Sequence, residues 1–451
     1  MHDKLVHKYG TDAVSHEGAN MVKKIMNIAL LFSLFLCQMI MLAMAANGEE
    51  QKLSLKCKIR AIEQIKKNYP IAGFALSIAD VNNDKKNEIV VSGNGYMRLL
   101  EWNGTTFERK WTSPQYSYPL GFGNATFPDI SRLVPVKYFA GKEFAIDYLY
   151  FGFTTAKSSD IYKLIWKQNN YETQKISSSP FNWFDLIGAC GDGSSVVVGS
   201  KQHEKGNYIV VYKWNGAALV EKWRGVPSTD IKVTGEILTN SNNAENVFLV
   251  RDNKRTGLLS CVNDKFEWKM IDIDAGMRDL LQKNHVGSTN SAIGFTKKGS
   301  VGELWTIQGS DSDYEYNAKL YVSQFDGKKF LPLARVLFKG VDSSMIFKMI
   351  IADVDNDGVG EILGVEEKIR KTIPRNNPGD TGEEGDTLLI TTNLFLAKWN
   401  GKEYEIKWHK KAIDERVSNI AVGDVTGDGN KEILITDENG YLYVFDMPTD
   451  K

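Results

Sequence analysis

One short unit recurs along the chain and restricts its possible folds more than any other feature. It reads LEWNGTTFERKW at 100–111, YKWNGAALVEKW at 212–223 and AKWNGKEYEIKW at 397–408. Weaker copies are IWKQNNY at 165–171, SCVNDKF at 260–266 and SQFDGKKF at 323–330. In each, apolar residues alternate, a turn-forming pair such as Asn-Gly, Asp-Gly or Asn-Asn interrupts them, and the alternation resumes. Alternation places apolar side chains on one face of an extended strand, and such pairs accept the positive φ of a tight turn. The unit is therefore a β-hairpin.

A second pattern lies upstream of the hairpin. DVNNDKKNEI at 80–89, DVDNDGVGEI at 353–362 and DVTGDGNKEI at 424–433 match position for position. Each is flanked by short apolar runs: Ala75 to Ala79 and Ile89 to Val91, Met349 to Ala352 and Ile362 to Val365, Ile420 to Val422 and Ile433 to Ile435. One repeat is thus strand, carboxylate loop, strand, variable loop, strand, tight turn, strand. Repetition of four antiparallel strands predicts an all-β chain, a seven-bladed β-propeller of four-stranded blades, with six or eight blades as the alternatives because the second, fourth and fifth repeats are degenerate. The blades fall near 71–112, 130–177, 181–224, 230–272, 290–336, 345–410 and 417–446. The last holds only three strands. Leu53 to Ile62, within an N-terminal segment at 46–70, is expected to supply its fourth and close the ring, so that the propeller repeats span 71–447. The 39 glycines against 11 prolines, with 11% aromatic residues, suit strands and turns.

The N-terminus reads as an export signal. Residues 1–20 are taken as an extension ahead of the true start at Met21, and 21–45 as the signal peptide. A basic start at 21–25 precedes the apolar body Ile28 to Ala46, and Ala43-Met-Ala45 fits a small-residue cleavage site. An uncleaved anchor is the alternative, the apolar body being just long enough to span. Without the anchor no stable membrane span is expected, and the protein is expected to be periplasmic, extracellular or at the cell surface. Cys57, Cys190 and Cys261 then remain; three distant cysteines cannot all pair, and they are expected to be buried free thiols. A formal net charge of −1 gives no general attraction to nucleic acid.

The carboxylate core and the strands around it resemble the FG-GAP/VCBS repeat proteins, the propeller family that includes the integrin α-chain head. The resemblance is specific at three loops and diffuse over the rest of 71–447. It implies structural calcium in the loops between first and second strands, with an acidic residue at position nine.

The residues allow the same chemistry. Oxygen donors at positions one, three, five and nine, and a backbone carbonyl at seven, can surround one hard cation. These are Asp353, Asp355, Asp357, Glu361 and Val359; Asp424, Thr426, Asp428, Glu432 and Asn430; and Asp80, Asn82, Asp84, Glu88 and Lys86. An EF-hand is excluded, because its position twelve is Val91, Gly364 or Ile435 here and its flanks are not helical. A metal-free Asp/Gly turn held by side-chain to backbone hydrogen bonds has the same composition. Three copies of clustered like charge favour a cation. In the first loop Lys85 stands where the others have glycine, and in 188–196 the pattern has lost positions one and nine.

Antiparallel blades put these loops and the tight turns on one face, and the long connections on the other. The long segments are Ser113 to Asp129, Lys201 to Asn207, Ser310 to Asn317 and the polar insertion Glu366 to Asp386. Tyr116, Tyr118, Phe122 and Phe127, with Tyr314 and Tyr316, are the candidate contact residues for a protein or glycan ligand. They could equally cover the end of the ring. Trp102, Trp214 and Trp399 repeat in register and are assigned to blade packing. The function expected is a non-catalytic exported calcium-binding scaffold. A propeller enzyme of lyase or hydrolase type is the alternative, although no nucleophile, phosphate-loop or metal-spacing motif supports it.

Overall fold

The computed structural model describes residues between 52 and 448. Residues 1–51, 64–74, 120–125, 138–143, 151–158, 239–245, 274–290, 295–302, 309–318, 338–343, 374–386 and 449–451 lie outside the described residues, as do shorter breaks. The signal-segment expectations therefore fall outside them. Among the described residues no helix is long and apolar enough to cross a membrane.

The expectation of an all-β chain built from antiparallel four-stranded sheets holds. Unit one contains Ala75–Ala79, Glu88–Gly93, Tyr96–Trp102 and Phe107–Thr112, hydrogen-bonded in chain order. Unit two contains Ile130–Lys137, Phe144–Tyr150, Ser159–Lys167 and Asn170–Ser179. Unit three contains Trp183–Ala189, Ser195–His203, Gly206–Trp214 and Leu219–Arg224. Lys232–Leu238, Asn246–Arg251, Thr256–Val262 and Lys265–Ile273 form unit four; Ser291–Gly294, Glu303–Gln308, Lys319–Phe325 and Lys329–Leu337 form unit five. Their outer strands join at Asp272–Lys329 and Ile273–Phe330, a short parallel pairing that makes one eight-stranded sheet. Unit six is Ser344–Ala352, Glu361–Ile373, Thr387–Trp399 and Tyr404–Ile413. In unit seven, Val417–Gly423, Glu432–Asp437 and Tyr441–Asp446 are completed by Leu55–Arg60 from the other end of the chain, antiparallel to Tyr441–Asp446.

The first strand of each unit lies against the first strand of the next, from unit one through unit seven, and Val417–Gly423 returns to Ala75–Ala79. Burial follows from this arrangement. Glu88–Gly93 and Glu432–Asp437 are buried at every position, because a second strand is paired on both edges and covered on both faces. The outer strand Phe107–Thr112 is mostly exposed. One apolar cluster joins units six and seven through Leu363, Leu394, Ile420 and Phe445. Another joins units seven and one through Leu434, Val444, Ile89 and Val91. Each buried side chain of this size contributes about 1.5–3 kcal/mol.

The hairpins close as their turn pairs demand. Gly104 and Gly401 have φ of 100° and 99°, and Asn103 Oδ1 accepts the N–H groups of Thr105 and Thr106 at 2.9 Å each. In unit two Gln168 and Asn169 take positive φ themselves, 51° and 61°. Across these turns Trp102 packs on Phe107, Trp399 on Tyr404 and Trp166 on Tyr171, with centroids 4.9, 4.8 and 4.3 Å apart. Trp102 and Trp399 thus brace their own hairpins, while the Trp214 side chain lies outside the described ones.

Three expectations need correction. Lys201 to Asn207 is not a long loop: Ser195–His203 pairs with Gly206–Trp214 through His203–Gly206. Glu366 to Ile373 is strand, because Glu361–Ile373 pairs with Thr387–Trp399 as far as Ile373–Thr387. Charge did not keep Glu366 and Glu367 in water: both are buried, Glu366 with one oxygen bonded by His409 and Asn393 and the other without a hydrogen-bond partner among the described residues, and Glu367 against Arg416 and the Val417 N–H. Cys57 is half-buried, with its Sγ 3.6 Å from Thr106 Oγ1. Cys190 lies outside the described residues.

Candidate metal centre

The three carboxylate loops connect first to second strands in units one, six and seven. Each is folded by its own acids. In the first, Asp80 accepts the N–H groups of Asp84 and Lys85 at 3.0 Å each, Asn82 Oδ1 accepts Asp84 N–H at 2.9 Å, and Asp84 accepts Lys86 N–H at 2.8 Å. In the sixth, Asp355 accepts Asp357 N–H at 3.2 Å and Asp357 accepts Val359 N–H at 2.8 Å. In the seventh, Asp424 accepts Gly427 and Gly429 N–H at 2.7 and 2.9 Å, and Asp428 accepts Asn430 N–H at 2.8 Å. Position seven thus contributes its N–H to the turn, which leaves its carbonyl oxygen as the group assigned to a cation.

Position nine does more than its sequence role suggests. Glu88, Glu361 and Glu432 are 1%, 0% and 1% exposed. One oxygen of each accepts the position-two N–H: Val81 at 2.6 Å, Val354 at 2.9 Å and Val425 at 3.0 Å. The glutamate ties the loop's end to its start, and its second oxygen is left for another charge.

That second oxygen meets different partners in the three units. In unit six, Lys398 Nζ lies 3.0 Å from Glu361 Oε1 and 2.9 Å from Asp357, and also bonds Asp355. In unit seven, Lys56 Nζ lies 2.7 Å from Glu432 Oε1, 3.2 Å from Asp446 and 4.0 Å from Asp428, while the Thr426 hydroxyl donates to Glu432 at 2.9 Å. In unit one, no ion pair reaches Asp80, Asp84 or Glu88 among the described residues. Glu101 is added instead, and the Tyr171 hydroxyl from unit two donates to it at 2.9 Å and accepts from Asn82 at 3.3 Å.

The electrostatics differ accordingly. Burial, with repulsion from Asp84, Glu101 and Asp80, pushes Glu88 up to about 8 against the opposing Val81 hydrogen bond. Asp357, bonded to Lys398, is held below the usual carboxylate range, while burial pushes Glu361 up against the same lysine. Oxygens of Asp80, Asp84 and Glu88 converge within 4.8 Å of one another, as do those of Asp353, Asp355 and Asp357; the seventh loop makes no such triad. Two carboxylates at that spacing repel by about 3–4 kcal/mol at an effective dielectric constant of 20. The donor set is all oxygen and fits a hard divalent cation such as calcium.

The loops also brace one another. Asn87 at position eight donates to the Asp424 carbonyl at 2.7 Å, and Lys431 at position eight to the Asp353 carbonyl. Lys85 holds φ of 72° where unit seven has Gly429 at 87°. Of the candidate ligand-contact aromatics, Tyr118 pairs with Phe127 in a two-stranded ladder, Tyr118–Pro119 with Thr126–Phe127. Tyr116, Phe122, Tyr314 and Tyr316 lie outside the described residues. The cationic partners Lys398 and Lys56 were missed by sequence reasoning. The visible signal was the residue before each hairpin tryptophan, Glu101 in one repeat and Lys398 in another.

No protein-family model matches the chain, and no curated protein matches it. The FG-GAP/VCBS resemblance therefore stands on the loop and hairpin motifs alone. Among solved structures, Sqt1 from Saccharomyces cerevisiae is 10% identical with a TM-score of 0.43, covering 87% of this chain and 100% of that one. The WD40 domain of SCAP from fission yeast is 9% identical with a TM-score of 0.41, covering 87% and 98%. A 6-phosphogluconolactonase candidate from Bacteroides uniformis is 9% identical with a TM-score of 0.46, covering 83% and 92%. These neighbours are β-propeller structures.

Proposed function

We propose that this chain is an exported, calcium-stabilised binding scaffold, a seven-bladed β-propeller that holds a protein or glycan on the face opposite its carboxylate loops. The circuit of first strands, with Leu55–Arg60 in the final sheet, supports the closed ring. The observation that carries the calcium is the convergence of Asp80, Asp84 and the buried Glu88, which no ion pair reaches among the described residues. Calcium there would be structural: it would be held by oxygen donors of Asp80, Asp84 and Glu88, and would remove the repulsion that the loop otherwise carries into the folded state. In the sixth loop Asp353, Asp355, Asp357 and Glu361 offer the same kind of donor.

The binding role rests on the long connections that the strand order assigns to the other face, Ser113 to Asp129 and the one after Ile373, together with the apolar start of the chain that suits export. The calcium-loaded protein, presented to a glycan array and to proteins of the exported fraction, is expected to retain a discrete ligand. Retention should weaken when Tyr118 and Phe127 are replaced by serine. Turnover in a hydrolase and lyase screen, with no retained ligand, would overturn the scaffold reading in favour of an enzyme.

A further inference from the structure

Three sister loops of one design offer an internal comparison. All bind their position-two N–H through the same glutamate, so the loops are superposable in role, and what differs is the charge that the neighbouring strands set against that glutamate. Register identifies it. Ile89 pairs with Leu100, so Glu88 faces Glu101; Ile362 pairs with Ala397, so Glu361 faces Lys398; Glu432 pairs with Asp446 directly. In unit seven the acid Asp446 is answered by Lys56, carried in by the strand from the chain's other end.

We infer that the charge set against this glutamate by the neighbouring strands decides which loop recruits a metal: Lys398 on the third strand and Lys56 on the fourth act as built-in cations, whereas Glu101, with no cation beside it among the described residues, makes the first loop the one that takes a divalent ion from solution. The inference rests on the calcium reading above and deepens it. Two observations carry it besides the clustering of acids. First, an ammonium sits among the loop carboxylates in both sister units, at hydrogen-bonding distance from the second oxygen of the position-nine glutamate. The fold therefore places a positive charge at that point wherever a side chain can supply it. Second, in unit one the oxygens of Asp80, Asp84 and Glu88 converge within 4.8 Å of one another, Glu101 faces Glu88 across the ladder, and the Tyr171 hydroxyl links Glu101 to Asn82 of the loop. An ammonium satisfies three oxygens as a point charge; a calcium ion takes six to eight oxygens, which four acids, a carbonyl and water can supply.

The lysine is then a competitor as well as a substitute. For calcium to enter the sixth loop it must displace Lys398 from Asp355, Asp357 and Glu361 together. A neutral side chain at position 398 would remove that competition and leave four acids, Asp353, Asp355, Asp357 and Glu361, around the vacated point.

Equilibrium dialysis of the full chain against radioactive calcium, after chelation, tests this. One ion per chain is expected for the wild type, two for Lys398→Gln, and at least tenfold weaker binding for Glu101→Lys. Circular dichroism of each variant reports folding; if Glu101→Lys fails to fold, Glu101→Gln replaces it, with weaker binding again expected. Two or three ions on the wild type, or one ion on both the wild type and folded Lys398→Gln, would overturn the inference while leaving calcium binding intact. No ion on either protein would instead overturn the calcium reading itself.

Discussion

Calcium is expected to raise the melting temperature of the chelator-treated protein by about 3 °C, read by differential scanning calorimetry. A ligand present at 100 times its Kd stabilises the folded state by about 2.7 kcal/mol when the unfolded chain does not bind it. The unfolded chain has no assembled loop, so that condition holds here. The gain has a structural source. Asp80, Asp84 and Glu88 are forced within 4.8 Å in the folded state and are free to separate when the chain unfolds. Magnesium should give a smaller shift, because it demands near-ideal octahedral geometry and retains its water. Sodium chloride at matched ionic strength should give less still, since screening reaches a buried glutamate poorly. An identical scan in calcium and in chelator would remove the cation from the account.

The second large effect lies in the core of unit six. Gly364 pairs with Phe395 across the sheet, and the Phe395 ring is fully buried directly over it. A Cβ at Gly364 would lie 2.0 Å from Phe395 Cζ. Units one and seven have Val91 and Ile435 at the same position, so a side chain there is normal for this repeat and the glycine exists to admit the ring. Gly364→Val is expected to cost about 3 kcal/mol or more, by forcing the ring out of a packed site. Phe395→Ala alone should cost about 3–5 kcal/mol through the cavity it leaves. The double variant should recover most of the first loss, a coupling well above 1 kcal/mol in a thermodynamic cycle. Additive costs in urea denaturation would show that the two residues do not exchange volume.

Much of this architecture could be read in the sequence because it rests on local constraints. The tight turns need positive φ, and Asn103-Gly104 and Asn400-Gly401 supply it; the alternation on either side then sets the hairpin register. The carboxylate loops are equally local, since Asp80, Asp84 and Asp428 fold their own turns. What was not legible depends on strands far apart in the chain. Lys56 reaches Glu432 only because an N-terminal strand completes the last sheet. The charged run beginning at Glu366 looked like solvated loop, and it is strand whose buried acids meet His409, Asn393 and Arg416, each from another strand or the turn beyond it. A hydropathy pattern records the charge and not the partner. The same limit hid the difference among the loops: the first looked the least suited to a metal, with Lys85 and Asn82 in it, and is the one whose acids find no counter-charge among the described residues.

The central claim is that a cation from solution neutralises the carboxylates of the first loop, and anomalous diffraction from crystals grown in calcium tests it most directly. A peak is expected between Asp80, Asp84 and Glu88, with oxygen ligands at about 2.3–2.6 Å. A map with no peak at that position, and the loop closed only by its own hydrogen bonds, would contradict it.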